Sequence, residues 1–88
     1  MESIYLKTLI EVARTGNLTK AAETLCVTQS AVSRRIKFLE TQYGCDLIDR
    51  SGQILVLTAR GNLVREKAEK IMAIEQELKA ELCLPDAN

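Results

Sequence analysis

Between Gln29 and Lys37 the sequence reads QSAVSRRIK, and its polar side chains are of the kinds that recognise hydrogen-bonding edges. Wound as a helix at about 100° per residue, Gln29, Ser30, Ser33, Arg34 and Lys37 gather on one arc. Val32, Ile36, Leu39 and Tyr43 gather on a narrow, nearly opposite stripe, while Phe38 lies on neither. One side is core, and the other is wholly hydrogen-bonding or cationic. Gln can pair with adenine in a DNA major groove, Arg can grip guanine with two N–H groups, and Ser serves a base or a phosphate. Arg35 falls off the polar arc, which suits a phosphate contact or none.

The charge around this segment is uneven in a chain that is balanced overall, with 12 Lys+Arg against 12 Asp+Glu. From Arg14 to Lys37 the basic residues are Arg14, Lys20, Arg34, Arg35 and Lys37, and the only acid is Glu23. A solvated helix face would also explain a basic cluster, and a net charge of zero lacks the usual basic footprint of a nucleic-acid binder. The Gln and Ser residues on the same arc tip the reading toward DNA.

Other chemistries find little support. The chain has no His, no ordered pair of carboxylates and no Gly-rich phosphate loop, so no catalytic set can be assembled and no enzyme or cofactor is expected. Three Cys (Cys26, Cys45, Cys83) without paired spacing speak against a disulfide framework and against zinc, and read as small buried or half-buried apolar residues. One Phe, two Tyr and no Trp leave few stacking platforms for single-stranded bases. No apolar run exceeds four residues, ILVL from Ile54 to Leu57 being one, so no membrane segment or signal peptide is expected, and a cytoplasmic or nuclear location follows.

Eighty-eight residues make one small domain, and the elements needed to hold the polar arc can be read along it. Leu6, Leu9, Ile10 and Ala13 form the apolar stripe of a first helix that stops at Gly16. Asn17 is placed to cap a short helix from Leu18 to Leu25, with small Ala21 and Ala22 for a close crossing. After a brief turn, Thr28 caps a third helix from Gln29 to about Tyr43, ended by Gly44. The segment DLIDRSGQILVLT is aliphatic and β-branched on both sides of Ser51-Gly52 and reads as a two-stranded hairpin. Thr58 then caps a long helix to about Leu84, before Pro85, on which Val64, Ala68, Ile71, Leu78 and Leu82 make a heptad-like seam. This is a mostly α chain: a winged helix-turn-helix of three helices and a two-stranded wing, followed by a long C-terminal helix.

The same residues carry a resemblance. NLTKAAETLCVTQSAVSRRIKFLE, then GCDLIDR, then LTARG, is similar to the N-terminal DNA-binding domain of the LysR-type transcriptional regulators, from about Ile4 to past Gly61. The resemblance implies sequence-specific binding to double-stranded promoter DNA, with the helix-turn-helix at 18–37 and the wing at 46–57 inside a domain of residues 1–58. Gln29, Ser30, Ser33 and Arg34 would enter the major groove, and Arg50 would approach the minor groove. Thr19 and Lys20 suit backbone phosphates, Lys37 shares the polar arc, and Thr28 can serve as cap, as contact, or as both. Residues 59–84 would be a linker that forms a homodimer through Val64, Ala68, Ile71, Leu78 and Leu82. Residues 85–88 would open a hinge, the chain being an excised domain whose small-molecule effector site lies elsewhere. Ile48 departs from the family's usual Phe, and Arg60 from its Ala. Gln53, a further wing contact, stands where Arg is frequent, Ile54 and Val56 where basic residues are common, so this wing should pull weakly on DNA. Another winged-helix regulator, or a winged helix used for protein contact, remains compatible with the residues.

Overall fold

The computed structural model describes residues 3–83. Its elements in chain order are α1 (Ser3–Thr15), α2 (Leu18–Leu25), α3 (Gln29–Tyr43), β1 (Ile48–Asp49), β2 (Val56–Leu57) and α4 (Ala59–Glu81). Helix α1 packs on α2, α3 and α4, α2 also packs on α3, and β2 lies against α4. The shared core comprises Leu6, Leu9 and Val12 of α1, Ala21 and Ala22 of α2, Val32, Ile36 and Leu39 of α3, then Leu47, Ile48 and Ala68.

The helix boundaries follow from their caps. The Asn17 side chain accepts from Lys20 N–H at 3.1 Å, Thr28 from Ala31 N–H at 3.1 Å and Thr58 from Gly61 N–H at 3.0 Å. Each offers one otherwise orphaned amide an acceptor. Gly44 ends α3 at φ 68°, and its N–H donates to the carbonyl of Glu40 at 2.8 Å. Helix α4 ends at Glu81 with Leu82 as cap, short of the Leu84 expected; Leu84 and the hinge at 85–88 lie outside the described residues.

Several expectations are corrected. On α1 the core face is rotated toward Thr8 and Val12, both buried, while Ile10 and Ala13 are only half-buried. Thr8 is tolerated there because its hydroxyl donates to the Ile4 carbonyl at 2.7 Å. Tyr43 is 42% exposed: the chain turns back at Gly44, and Leu47 and Ile48 take the core positions beyond Leu39. Phe38, unplaced by the helical pattern, stacks on Tyr5 of α1 with ring centroids 4.4 Å apart. Cys26 and Cys83 are exposed, and Cys45 alone is half-buried. Both exposed cysteines have positive φ at helix ends, 58° and 57°.

The wing also differs from a tight Ser-Gly hairpin. Its strands pair antiparallel over two residues each, Ile48 with Leu57 and Asp49 with Val56, leaving residues 50–55 as a loop. Two interactions keep the strands from zipping further. The Asp49 carboxylate accepts from the Ser51 hydroxyl at 2.6 Å and the Ser51 N–H at 2.9 Å, bending the chain straight after β1. These bonds, the hydroxyl's foremost, hold the Asp49 carboxyl below the usual range. On the other side Leu55 N–H donates to the Gly16 carbonyl at 3.2 Å, drawing the loop onto the end of α1.

The start of α4 is fixed by a close approach. Thr58 N–H donates to the Leu47 carbonyl at 3.0 Å and the Thr58 hydroxyl to the Asp46 carbonyl at 2.7 Å. Gly61 lies so near that a Cβ there would stand 2.0 Å from the Leu47 oxygen. Since that obstacle is backbone, Gly61→Ala should destabilise the domain by about 3 kcal/mol or more. Urea unfolding tests this, and an unchanged midpoint would show that α4 does not need the contact.

Candidate nucleic-acid interface

The burial of Val32, Ile36 and Leu39 sets the rotation of α3 about its axis, and with it the direction of the polar arc. Gln29, Ser30, Arg34 and Lys37 are exposed, and Ser33 is half-buried beside them. Arg35 points the other way and donates from Nη1 to the Thr8 hydroxyl at 3.4 Å. Helix α3 therefore has three sides: a core stripe, a side joined to α1 through Arg35 and Phe38, and an outer polar face.

At the N-terminal end of α3 the turn brings more candidates alongside. Thr19, Lys20 and Thr28 are all exposed, and the Thr19 hydroxyl lies 3.5 Å from Gln29 Oε1, so α2 and α3 present their first turns together. Thr28 does serve as the cap of α3. Cys26 makes the turn possible by taking the left-handed conformation, φ 58° and ψ 43°, with its N–H bonded back into α2.

Charge is sorted by pairing. Arg14 is tied to Glu11 at 2.7 Å, and this hydrogen bond and the carboxylate charge raise its pKa. Arg65 pairs with Glu69, Lys70 with Glu66 and Arg50 with Glu40. Among the described residues, no ion pair within 4.0 Å takes up Lys20, Arg34 or Lys37. These three cations stand on and beside the outer face of α3, while Arg60, Lys67 and Lys79 of α4 are likewise in no ion pair within 4.0 Å among the described residues.

The wing stands next to that face through Glu40 of α3. Glu40 is buried, and its Oε2 accepts from Leu47 N–H at 2.9 Å and Ile48 N–H at 3.4 Å, tying α3 to the first strand. The sequence reading placed Glu40 in the family-like segment but gave it no role of its own. Its position at the border of the stripe, ten residues before the wing's Arg50, is the signal that was there. Arg50, Gln53 and Ile54 are exposed on the loop, and Val56 is exposed on β2.

The seam expected on α4 divides. Ala68 is 1% exposed and Val64 packs against the core, so the first half of the stripe is occupied by this chain itself. Ala68, expected in the dimer seam, is instead buried within this chain, where the start of α4 lies on α1 and β2. The second half runs past the core, and Ile71, Leu78 and Leu82 are exposed there together with Ile74, which the heptad count passed over. At about 100° per residue these four fall within an arc of about 80°.

Comparison with known proteins identifies the arrangement. The family model for bacterial regulatory helix-turn-helix proteins of the lysR family matches residues 5–62. The chain belongs to the LysR family. It is 43% identical over 82 residues to the HTH-type transcriptional regulator HdfR of Escherichia coli O139:H28, a match covering 93% of the chain and 29% of that regulator. The HdfR protein of Escherichia fergusonii matches to the same extent. The chain thus spans less than a third of the length of these curated relatives. Among solved LysR structures, the DNA-binding domain of CbnR in complex with DNA superposes with a TM-score of 0.87 at 34% identity, over 92% of this chain and 93% of that one. Vibrio fischeri DarR, also in complex with DNA, gives 0.89 at 34% identity over 94% of this chain and 28% of that one. The mostly helical winged helix-turn-helix is therefore the LysR fold, and its relatives regulate transcription.

The left-handed turn residue offers a check on the geometry of this LysR helix-turn-helix. Cys26→Gly should raise stability by about 0.5–1 kcal/mol, the relief of a left-handed Cβ less the greater unfolded-state freedom of glycine. Thermal melts measure it, and a lower melting temperature would show that Cys26 does more than turn the chain.

Proposed function

We propose that this chain is the DNA-binding part of a LysR-type transcriptional regulator, that it acts in the cytoplasm, and that it reads double-stranded promoter DNA rather than carrying out a reaction. The observation that carries this reading is the outer face of α3, exposed, free of carboxylates and built from Gln29, Ser30, Ser33, Arg34 and Lys37. In the major groove Gln29 and Arg34 would read base edges, with Ser30 and Ser33 serving bases or phosphates. Thr19, Lys20 and Thr28 would hold the phosphate backbone beside the helix N-termini, and Lys37 would follow the strand further along. Arg50 and Gln53 would carry the wing to the minor groove.

The domain plan is a winged helix-turn-helix over residues 1–58 and a linker over 59–84, with 85–88 leading toward a hinge. An effector-binding domain of such a regulator would follow that hinge. A homodimer through α4 is supported by Ile71, Ile74, Leu78 and Leu82, an apolar row that the domain's own core does not cover. Two such domains related by a two-fold axis would match a pair of DNA half-sites.

Two substitutions test the reading. Arg34→Ala should cost about 1–3 kcal/mol of specific binding and relax preference at one base position, as measured by anisotropy titrations against single-base variants of a bound duplex. Equal weakening on every sequence would make Arg34 a phosphate contact. Leu78→Glu should convert the dimer to a monomer in light scattering while leaving the helical content of the domain intact. An unchanged mass would remove α4 as the dimer element.

A further inference from the structure

Glu40 is the only buried charged side chain among the described residues, 8% exposed. Its partners all belong to the wing: Leu47 N–H, Ile48 N–H and, 3.8 Å from the same oxygen, Arg50 Nη1. Arg50 is also the only Lys or Arg from Phe38 to Ala59, so the wing's whole positive charge rests on one side chain. That side chain leaves β1 at the start of a six-residue loop and is 48% exposed.

We propose that Glu40 is a positioning residue that sets Arg50 relative to the reading face of α3. The proposal rests on the DNA-binding reading and deepens it. Because Glu40 belongs to α3 itself, the carboxylate ties the wing cation to the same rigid helix that carries Gln29 and Arg34. A guanidinium has five N–H donors in a planar fork. One of its amino groups faces Glu40, and the exposed remainder is open to a phosphate or a base edge. A separation of 3.8 Å with a half-exposed Arg contributes little stability. What the pair contributes is pre-organisation, since holding a rotamer-rich side chain in place before binding avoids that cost during binding.

The sign of one substitution separates this role from its rivals. Glu40→Gln keeps an acceptor for Leu47 and Ile48 N–H but removes the charge that holds Arg50. Were Glu40 only a carboxylate near a polyanion, its removal would tighten binding. Were it only a brace for the fold, its removal would weaken binding whether or not Arg50 is present. The positioning role predicts a loss that vanishes without Arg50.

The experiment is a double-mutant cycle of Glu40→Gln and Arg50→Ala, titrated at several salt concentrations against a duplex selected from a random pool by the unaltered protein. Glu40→Gln should weaken binding roughly 3- to 10-fold in the parent background. In the Arg50→Ala background the change should stay under about twofold, within the usual error of additivity. The slope of log K against log salt should flatten toward that of Arg50→Ala. Equal losses in both backgrounds, or tighter binding, overturns the proposal. If Glu40→Gln does not fold, NMR of the Arg50 side chain in the parent protein replaces it: a resolved, slowly rotating guanidinium supports the proposal and an averaged one overturns it. A parent protein that selects no duplex at all instead removes the DNA-binding reading on which the proposal stands.

Discussion

Burial of Val32, Ile36 and Leu39 in the core shared with α1 and α2 fixes how α3 is rotated, and the polar face that α3 presents follows from that rotation. With those residues inward, Arg35 and Phe38 can only meet α1, where they find Thr8 and Tyr5. Gln29, Ser30, Arg34 and Lys37 can only face outward. No residue on that outer face is apolar enough to stabilise the fold by burial, so the rest of the chain supplies the stability and α3 is free to carry recognition chemistry. Helix α2 needs Ala21 and Ala22 to let α3 approach, and α4 needs Gly61 to lie against the Leu47 carbonyl.

Electrostatics follows the same division. A polyanion binder is expected to be basic, yet this chain has no net charge. Three acids are paired locally, Glu11 with Arg14, Glu69 with Arg65 and Glu66 with Lys70, each about one helical turn away. Lys20, Arg34 and Lys37 are left on one side. Local potential rather than overall charge is what a duplex would meet, and charges beyond a screening length of about 8–10 Å count little toward it.

Much of this was legible in the sequence because it rests on local rules. Asn17, Thr28 and Thr58 marked the starts of α2, α3 and α4, and Gly16 and Gly44 the ends of α1 and α3, from short-range chemistry alone. The outer face of α3 was legible from helical geometry, and the aliphatic, β-branched run on both sides of Ser51-Gly52 placed the wing. Features decided by non-local packing were not. Tyr43 fits the core stripe by angle, but the chain turns under it and Leu47 takes the space. Ala68 fits a heptad seam, but the first half of α4 is spent on the domain's own core, leaving Ile71, Ile74, Leu78 and Leu82 beyond it. The two-stranded wing was legible, but its long loop was not, because nothing in DRSGQIL says that Leu55 will bond to the end of α1. Glu40 stood within the family-like segment without a role of its own, because an acid at the edge of a stripe shows no partners until its amide donors are placed.

The central claim, that the outer face of α3 reads base sequence, is tested most directly by selecting bound molecules from a random duplex pool and sequencing them. The account predicts enrichment of one short motif, repeated as an inverted pair with its halves on one face of the duplex about a helical turn or a multiple of it apart. Retention of the pool without enrichment, or no salt-sensitive retention at all, would contradict it.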